Sequence, residues 1–203
     1  MQNNIRMKDY NALFWHKVDV LCALISRWYY TLMMRTRCYM RHVDLGLNCK
    51  FYGKTFIQRA INSTITIGND CQFRSKHLSA LLGINHPCIV ATIVPGAAIK
   101  IGKRCGFSGT TITAFTSIEI GDNVRCATNT TICDSDWHPD DSRTTPSKPI
   151  VIEDNVWLGY NVTVWKGVTI GKNSIIGANS LVTKDIPANV IAAGNPCRII
   201  KQL

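Results

Sequence analysis

Aliphatic residues return at every sixth position in the C-terminal half of the chain. The series consists of Ile152, Leu158, Val164, Ile170, Ile176 and Val182. A Gly or acidic residue usually follows, and a small or β-branched residue usually takes the fifth place, while the third and fourth places vary freely. A six-residue period fits neither an α-helix nor a simple hairpin. It predicts a parallel β-helix, in which three hexads close one triangular coil of about eighteen residues.

The same unit recurs upstream, so the β-helix is expected to occupy most of the chain. Further hexads begin at Ile67, Ile101 and Ile120, each followed by Gly. Cys71 and Cys105 take the small fifth place in two of them. The chain has nine cysteines and no C-x-x-C pair. These features predict free, buried thiols and a reducing compartment.

The six-residue phase breaks twice, which predicts two extruded loops. One break runs from Ser75 to Ala98 and contains His77 and His86; the other runs from Cys133 to Pro149 and contains His138. The interior of a β-helix has no room for inserted residues, so both segments must leave the coil. Extruded loops are where functional residues collect.

The first forty residues follow a different pattern. Residues 11–40 contain neither Gly nor Pro, and their apolar positions are spaced by four and three residues. The positions are Phe14, Val18, Leu21, Ile25, Trp28 and Leu32. This spacing predicts a helix with one apolar stripe. The expected organisation is a helical appendage over residues 1–45 and a β-helix domain over residues 46–203.

The charge-free runs of this helix are too short to span a membrane, which takes about 18 apolar residues. Two alternatives remain for the helix. It packs on the protein's own body or on a neighbouring subunit, or residues 11–41 lie on a membrane surface.

Composition narrows the class of protein. Hydrophobic residues make up 46% and charged residues 18% of the 203 residues, which is typical of a folded globular chain. The net charge of +10 attracts anions, but the basic residues are scattered and form no nucleic-acid motif, so nucleic-acid binding is not expected. The segment Met1 to Tyr10 is polar and lacks the apolar core of a signal peptide. We therefore expect a cytoplasmic protein.

Two stretches carry a family resemblance. Residues 151–159 read Val-Ile-Glu-Asp-Asn-Val-Trp-Leu-Gly, and residues 193–198 read Ala-Gly-Asn-Pro-Cys-Arg. Together with the repeat, they resemble the hexapeptide-repeat acyltransferase superfamily, and within it the maltose, galactoside and polysaccharide O-acetyltransferases. The resemblance covers roughly Asn62 to Leu203.

That resemblance implies an all-β fold, a left-handed parallel β-helix, and a homotrimer with active sites between subunits. It also implies acetyl-CoA as co-substrate and no metal. The N-terminal helix resembles the apolar leader of the polysaccharide enzymes, which favours a glycan or lipid-linked sugar as the acceptor.

The resemblance also implies a catalytic base. In the relatives it is one histidine on the loop before the Val-Trp-Leu-Gly-like coil, and His138 is the histidine that matches this placement. A sugar hydroxyl is a poor nucleophile until a base removes its proton, and a neutral imidazole does this near neutral pH. Asp134 and Asp136 are candidates for orienting His138 or binding sugar hydroxyls, and Trp137 is a candidate for stacking on a sugar ring.

Six residues match coenzyme-contacting positions of the relatives: Trp157, Tyr160, Ala178, Thr183, Arg198 and Lys201. The first two correspond to positions that flank the pantetheine arm, although Tyr160 replaces a small residue there. The next two correspond to positions whose backbones meet the arm or the adenine. The last two correspond to basic positions near the phosphates, for which a guanidinium offers a planar fork of donors.

Other functions remain open at this point. Transfer to the amine of an amino sugar or antibiotic would depend less on His138, because an amine is often already nucleophilic. The β-helix could also serve as a non-catalytic scaffold. A zinc hydratase on the same scaffold needs three converging histidines. His16 and His42 lie outside the repeats and no pair shows ligand spacing, so a metal site is not expected.

Overall fold

The computed structural model describes residues 7–203, apart from the side chains of Met7, Lys8 and Leu78. The described residues begin with one continuous helix, α1 (Met7–Met40), of 34 residues. At 1.5 Å per residue it is about 51 Å long. Twenty short strands follow in the described part of the chain, together with a single 3₁₀ turn at His77–Ser79.

The strands, numbered along the chain, form three sheets that are the faces of a triangular prism. Sheet A contains β1 (Asp44–Leu45), β4 (Thr64–Ile67), β7 (Ala98–Ile101), β10 (Ser117–Ile120), β13 (Ile150–Ile152) and β16 (Thr169–Ile170). Sheet B contains β2 (Lys50–Tyr52), β5 (Gln72–Arg74), β8 (Gly106–Ser108), β11 (Arg125–Cys126), β14 (Trp157–Leu158), β17 (Ile175–Ile176), β19 (Val190–Ala193) and β20 (Arg198–Gln202). Sheet C contains β3 (Phe56–Gln58), β6 (Ile89–Thr92), β9 (Thr111–Ala114), β12 (Thr131–Cys133), β15 (Thr163–Val164) and β18 (Leu181–Val182).

Successive strands of each sheet are one coil apart and pair in parallel, and β19 and β20 form an antiparallel pair at the end. The hexad positions stack in register inside the prism: Ile152 lies between Ile120 and Ile170, and Leu158 lies above Ile176. All six positions of the series from Ile152 to Val182 are 0% exposed. The predicted inward repeat is confirmed.

The fifth-place thiols are also buried. Cys71 and Cys105 are 0% exposed. The fifth-place residues from Val156 to Ile186 are at most 5% exposed. All nine cysteines are free, and eight of them are buried. Burial raises the pKa of the Cys38 thiol to about 11, so this group stays protonated and unreactive at neutral pH.

The fourth place of the hexad is not free, contrary to the sequence analysis. Residues there adopt left-handed backbone angles, and Asn is the residue type other than Gly that tolerates them best. At the corner between sheets A and B, the side chains form a ladder. Asn123 Nδ2 donates to Asn155 Oδ1 (3.0 Å), Asn155 Nδ2 to Asn173 Oδ1 (3.1 Å), and Asn173 Nδ2 to Asn189 Oδ1 (2.7 Å). The ladder ties each coil to the next.

The first predicted break is shorter than the sequence indicated. The chain rejoins the coil at Cys88, and β6 pairs in parallel with β3 and β9 while Val90 is 0% exposed. The extruded segment therefore covers only residues 76–87. The repeat was hidden because the insertion and the longer corner after β6 shift the six-residue phase, although the coil itself continues.

The C-terminal third of α1 closes the open end of the prism. Met34 and Cys38 are buried at 0% and 1% exposure in the core. Arg35 Nη2 donates to the Gly46 carbonyl (3.2 Å), and Arg41 Nη1 donates to the Ile57 carbonyl (2.9 Å). This end of the helix packs on its own body, as one of the two alternatives predicted.

In the part of the chain that the structure describes, no such packing covers the predicted apolar stripe of α1, in which only Val18 is half-buried. Phe14, Leu21, Ile25, Trp28 and Leu32 are 54–71% exposed. Within residues 7–203, no helix is both long enough and apolar enough to cross a bilayer.

Candidate functional site

The second extruded loop covers residues 134–149 and leaves the prism after β12, at the corner between sheets C and A. Its two ends meet at the neck, where the Lys148 N–H donates to the Asp134 carbonyl (3.0 Å). The next coil supports the neck, because the Gly167 N–H donates to the Lys148 carbonyl (3.1 Å). The loop is thus tied to the β-helix and does not hang freely from it.

Asp134 anchors the start of this loop. Its side chain is fully buried and accepts three hydrogen bonds from the preceding coil. Oδ1 accepts from the Phe115 N–H (2.7 Å), and Oδ2 accepts from the Thr116 N–H (2.7 Å) and the Thr116 hydroxyl (2.8 Å). A buried carboxylate needs such donors to offset its lost hydration. The structure therefore places Asp134 inside the fold, with no exposed oxygen.

Asp136 joins the loop to the following coil. Its Oδ1 accepts from Trp165 Nε1 (3.0 Å), and its Oδ2 accepts from the Thr145 N–H (3.2 Å) and from the Lys166 ammonium. Lys166 also donates to the Thr145 carbonyl (2.6 Å). The pKa of Asp136 is lowered, chiefly because Lys166 donates a hydrogen bond to it, so this carboxylate is ionised at neutral pH.

Lys166 was not among the predicted site residues, because it lies in a variable third place of the hexad. One signal was available beside it, since Trp165 occupies a second place where Gly is common. That indole faces the loop and supplies one of the donors to Asp136.

Trp137 and His138 form the exposed part of the loop. Trp137 has a left-handed backbone (φ 70°), is 47% exposed, and packs edge-on against the Phe115 ring at 5.4 Å between centroids. The His138 carbonyl accepts from the Asp141 N–H (3.1 Å) and the Thr144 hydroxyl (2.9 Å), which fixes the backbone that carries the imidazole.

Among the described residues, none forms a hydrogen bond with the imidazole of His138, and neither aspartate touches it. Residues of the loop enclose a cleft of about 340 Å³, lined in part by Asp136, His138 and Ser142. An exposed imidazole on a fixed backbone is available to take a proton from a ligand.

The residues matched to coenzyme positions lie mostly elsewhere on the chain. Trp157 is 54% exposed on the outer face of sheet B, beside Arg125 of β11. Arg198 and Lys201 are exposed on β20, at the end of the same sheet. This face of sheet B is remote from the corner between sheets C and A where His138 lies.

The other three matched residues lie at two corners. Tyr160 and Ala178 lie at the corner between sheets B and C, where the Asn179 N–H donates to the Tyr160 carbonyl (2.8 Å). Thr183 follows β18 at the corner between sheets C and A, next to Trp165. Of the six, Thr183 alone shares a corner with the His138 loop.

Sequence analysis did not single out Arg74 and Arg125. Together with Trp157 they line a shallow groove of about 450 Å³ on sheet B. The Arg74 guanidinium lies over the Tyr52 ring, 4.6 Å from its centroid. No sequence signal marks these arginines, because outward positions of a hexad accept most residue types.

The first extruded segment lies at the corner between sheets B and C. Asn129 holds it: Oδ1 accepts from the Asn85 N–H (3.0 Å), and Nδ2 donates to the Gly83 carbonyl (3.3 Å). His77 Nδ1 lies 2.9 Å from the Ile84 carbonyl, and His86 Nδ1 lies 2.9 Å from the Pro87 carbonyl. In the described residues, no three His, Cys, Asp or Glu side chains converge as metal ligands do.

Comparison with known proteins agrees with this architecture. Residues 149–184 match the family model of the bacterial transferase hexapeptide (six repeats). The galactoside O-acetyltransferase of Escherichia coli (strain K12) is 45% identical over 53% of this chain and 56% of its own length. The polysialic acid O-acetyltransferase of Escherichia coli O1:K1 / APEC is 45% identical over 56% of this chain and 39% of its own length. The chain thus spans about half, or less, of the curated relatives it matches.

Among solved structures, AntD, an N-acyltransferase from Bacillus cereus in complex with dTDP and 3-hydroxybutyryl-CoA, has a TM-score of 0.57. It is 18% identical, and the match covers 83% of this chain and 87% of that chain. At this identity the match concerns the fold alone. The predicted left-handed parallel β-helix and the resemblance to the hexapeptide-repeat acyltransferase superfamily are confirmed.

Proposed function

Taking this chain as a hexapeptide-repeat acyltransferase, we propose that it transfers an acetyl group from acetyl-CoA to a hydroxyl of a sugar or polysaccharide precursor. His138 is the general base in this proposal. The observation that carries it is the exposed imidazole of His138 on a loop that buried Asp134 ties to the preceding coil and salt-bridged Asp136 ties to the following coil.

The chemistry is a direct transfer. The acceptor hydroxyl gives its proton to a ring nitrogen of His138 while its oxygen attacks the thioester carbonyl. The carbon–sulfur bond of the tetrahedral intermediate then breaks, and the imidazolium returns the proton to the departing thiolate. General base catalysis of this kind contributes about 10²–10⁴-fold. Holding both substrates in line supplies much of the remaining rate.

Asp134 and Asp136 act as positioning residues in this mechanism. Their carboxylates already accept hydrogen bonds from the neighbouring coils and do not reach the imidazole. Asp136 retains some exposure beside the cleft, so an acceptor hydroxyl can share it with Lys166. Trp137 offers a half-exposed aromatic face for a sugar ring.

The coenzyme is assigned to Trp157, Tyr160, Ala178, Thr183, Arg198 and Lys201. Within one chain most of these lie on sheet B or on the corner between sheets B and C, away from His138. A site that uses both groups has to combine edges of two copies. This supports a site between subunits, and we propose the homotrimer that the family resemblance implies, in which the loop of one subunit meets the coenzyme groove of the next.

A second candidate is transfer to an amine. The fold does not decide between the two, because AntD, with the same fold, is an N-acyltransferase. We favour a hydroxyl acceptor because both curated relatives named above are O-acetyltransferases. A polysaccharide precursor made in the cytoplasm is the acceptor class we propose.

The test is acetyl-CoA consumption by the full chain with a panel of mono-, oligo- and nucleotide-linked sugars, including amino sugars. His138→Ala should lower kcat with a hydroxyl acceptor by about 10²-fold or more. His16→Ala, a change at an exposed histidine of α1, is the matched control and should leave turnover unchanged.

Near-normal turnover of His138→Ala with an amino sugar would favour the amine acceptor. Near-normal turnover of the same variant with a hydroxyl acceptor would remove His138 from the mechanism. Tight coenzyme A binding without turnover on any acceptor would favour the alternative that the β-helix is a non-catalytic scaffold.

A further inference from the structure

The exposed stripe of α1 lies on the side of the helix that faces away from the β-helix. Met34 and Cys38 mark the side that is buried in the core. At 100° per residue, Val18, Leu21 and Ile25 lie roughly on the opposite side. The stripe therefore cannot be covered by the body of its own chain without rotating the helix out of its docked position.

The stripe has the spacing of a coiled-coil seam. Its six members are separated by four, three, four, three and four residues, which is the a and d pattern of a seven-residue repeat. The a positions are Val18, Ile25 and Leu32, and the d positions are Phe14, Leu21 and Trp28. In the central heptad, β-branched Val18 and Ile25 at a with Leu21 at d are the combination that favours two parallel helices. A strict a and d stripe is narrower than the face of an ordinary amphipathic helix.

The charge of the projecting segment argues against a lipid surface. Residues 9–26 contain one Lys and two Asp, a formal charge of −1, so they lack the excess of Lys and Arg that attracts anionic headgroups. Three of the four arginines further along contact the β-helix. Arg35 and Arg41 donate to backbone carbonyls, and the Arg27 guanidinium lies 6.0 Å from the Tyr52 ring centroid.

We propose that the stripe of Phe14, Val18, Leu21, Ile25, Trp28 and Leu32 is an interface on which α1 of a second copy of this chain packs in parallel. The two helices bury their a and d side chains against each other, and each β-helix lies on the outer side of its own helix. This contact is separate from any contact between β-helices, and it does not depend on the acetyl transfer proposed above.

Cys22 provides a specific probe. It flanks the stripe next to Leu21, and it is exposed while the other eight cysteines are buried. In a parallel pair, the two Cys22 side chains lie at the same level. A short bismaleimide added to the full chain at micromolar concentration should therefore produce a covalent dimer, and Cys22→Ser should abolish it.

The seam is tested by two matched double variants of the full chain. Leu21→Asp with Ile25→Asp puts carboxylates in the seam and should lower the cross-linking yield at least tenfold. Val20→Asp with Ala23→Asp makes the same change at exposed positions on the opposite side and should leave the yield unchanged. Circular dichroism checks that each variant keeps its folded content.

Three results overturn the proposal: no covalent dimer of the unmodified chain, equal yields from the two double variants, or loss of the dimer in the control. In a further experiment, membrane binding of the full chain is measured by flotation with vesicles of phosphatidylglycerol and phosphatidylcholine. Flotation that Leu21→Asp with Ile25→Asp abolishes, without cross-linking in solution, would assign the stripe to a membrane instead. Acetyl transfer is measured separately on each variant, so a failed interface is distinguishable from a failed enzyme.

Discussion

The role of Asp134 can be tested by removing its carboxylate. Three hydrogen bonds end on this buried group, two from backbone N–H groups of Phe115 and Thr116 and one from the Thr116 hydroxyl. Asp134→Ala deletes both acceptor oxygens, removes all three hydrogen bonds and leaves two backbone donors without partners. Asp134→Asn keeps one oxygen but turns an amide NH₂ toward donors at Thr116.

The expected loss follows from the number of bonds. A hydrogen bond to a charged group is worth about 1.5–3 kcal/mol, and partial hydration of the freed donors lowers the net loss. We expect Asp134→Ala to reduce the free energy of unfolding by about 3–5 kcal/mol and Asp134→Asn by about 2–4 kcal/mol. Thr116→Val removes only the hydroxyl donor and should cost about 1–2 kcal/mol. Against a typical total of about 5–15 kcal/mol, the first change is severe.

Urea denaturation at a fixed protein concentration measures these losses, and acetyl transfer is measured on the same samples. If Asp134 anchors the loop, kcat falls with stability across the three variants. If it contacts the acceptor instead, Asp134→Asn should raise the acceptor KM and leave the urea midpoint unchanged. A stable Asp134→Ala variant would refute the anchoring role.

Three further predictions concern Lys166, Asp136 and the asparagine ladder. Lys166→Met removes the ammonium from Asp136 and should lower kcat more than tenfold while the β-helix stays folded; circular dichroism and kinetics check this. Because the pKa of Asp136 is lowered on folding, its stabilisation of the loop is present above the unfolded pKa and is lost as pH falls through the lowered folded value. A tryptophan fluorescence titration should show that acid transition, and Asp136→Asn should abolish it. Asn155→Ala breaks two rungs of the asparagine ladder at a left-handed residue and should cost about 2–4 kcal/mol in urea denaturation, whereas an unchanged midpoint would show that the ladder contributes nothing.

The repeat was readable from the sequence because every coil places the same hexad positions in the same surroundings. Ile152 is buried by Ile120 and Ile170, and each of these is buried in the same way, so periodicity alone identifies the core. The second loop and the placement of His138 followed from the loss of that periodicity. The return of the coil at β6 did not follow, because Val90 comes seventeen residues after Phe73 instead of six, and this net insertion of eleven residues shifts the phase without ending the β-helix.

The roles of the loop side chains were decided only by tertiary contacts. From the sequence, the Asp134 carboxylate would be expected to be exposed, because it lies in a polar loop. Its burial depends on donors at Phe115 and Thr116, one coil earlier. Asp136 depends in the same way on Lys166, thirty residues later. Contacts of this kind join coils that are neighbours in space and separated in sequence, so no local pattern records them.

For the N-terminal helix, too, the sequence determined one property and the tertiary structure decided another. Its apolar spacing determined that α1 is a helix with one stripe, because side chains three and four residues apart share a face. Which face docks on the β-helix was decided by the packing of Met34 and Cys38 into the open end of the prism. Sequence spacing determines which side chains share a face of the helix. The packing of the rest of the fold determines which of those faces points toward the β-helix.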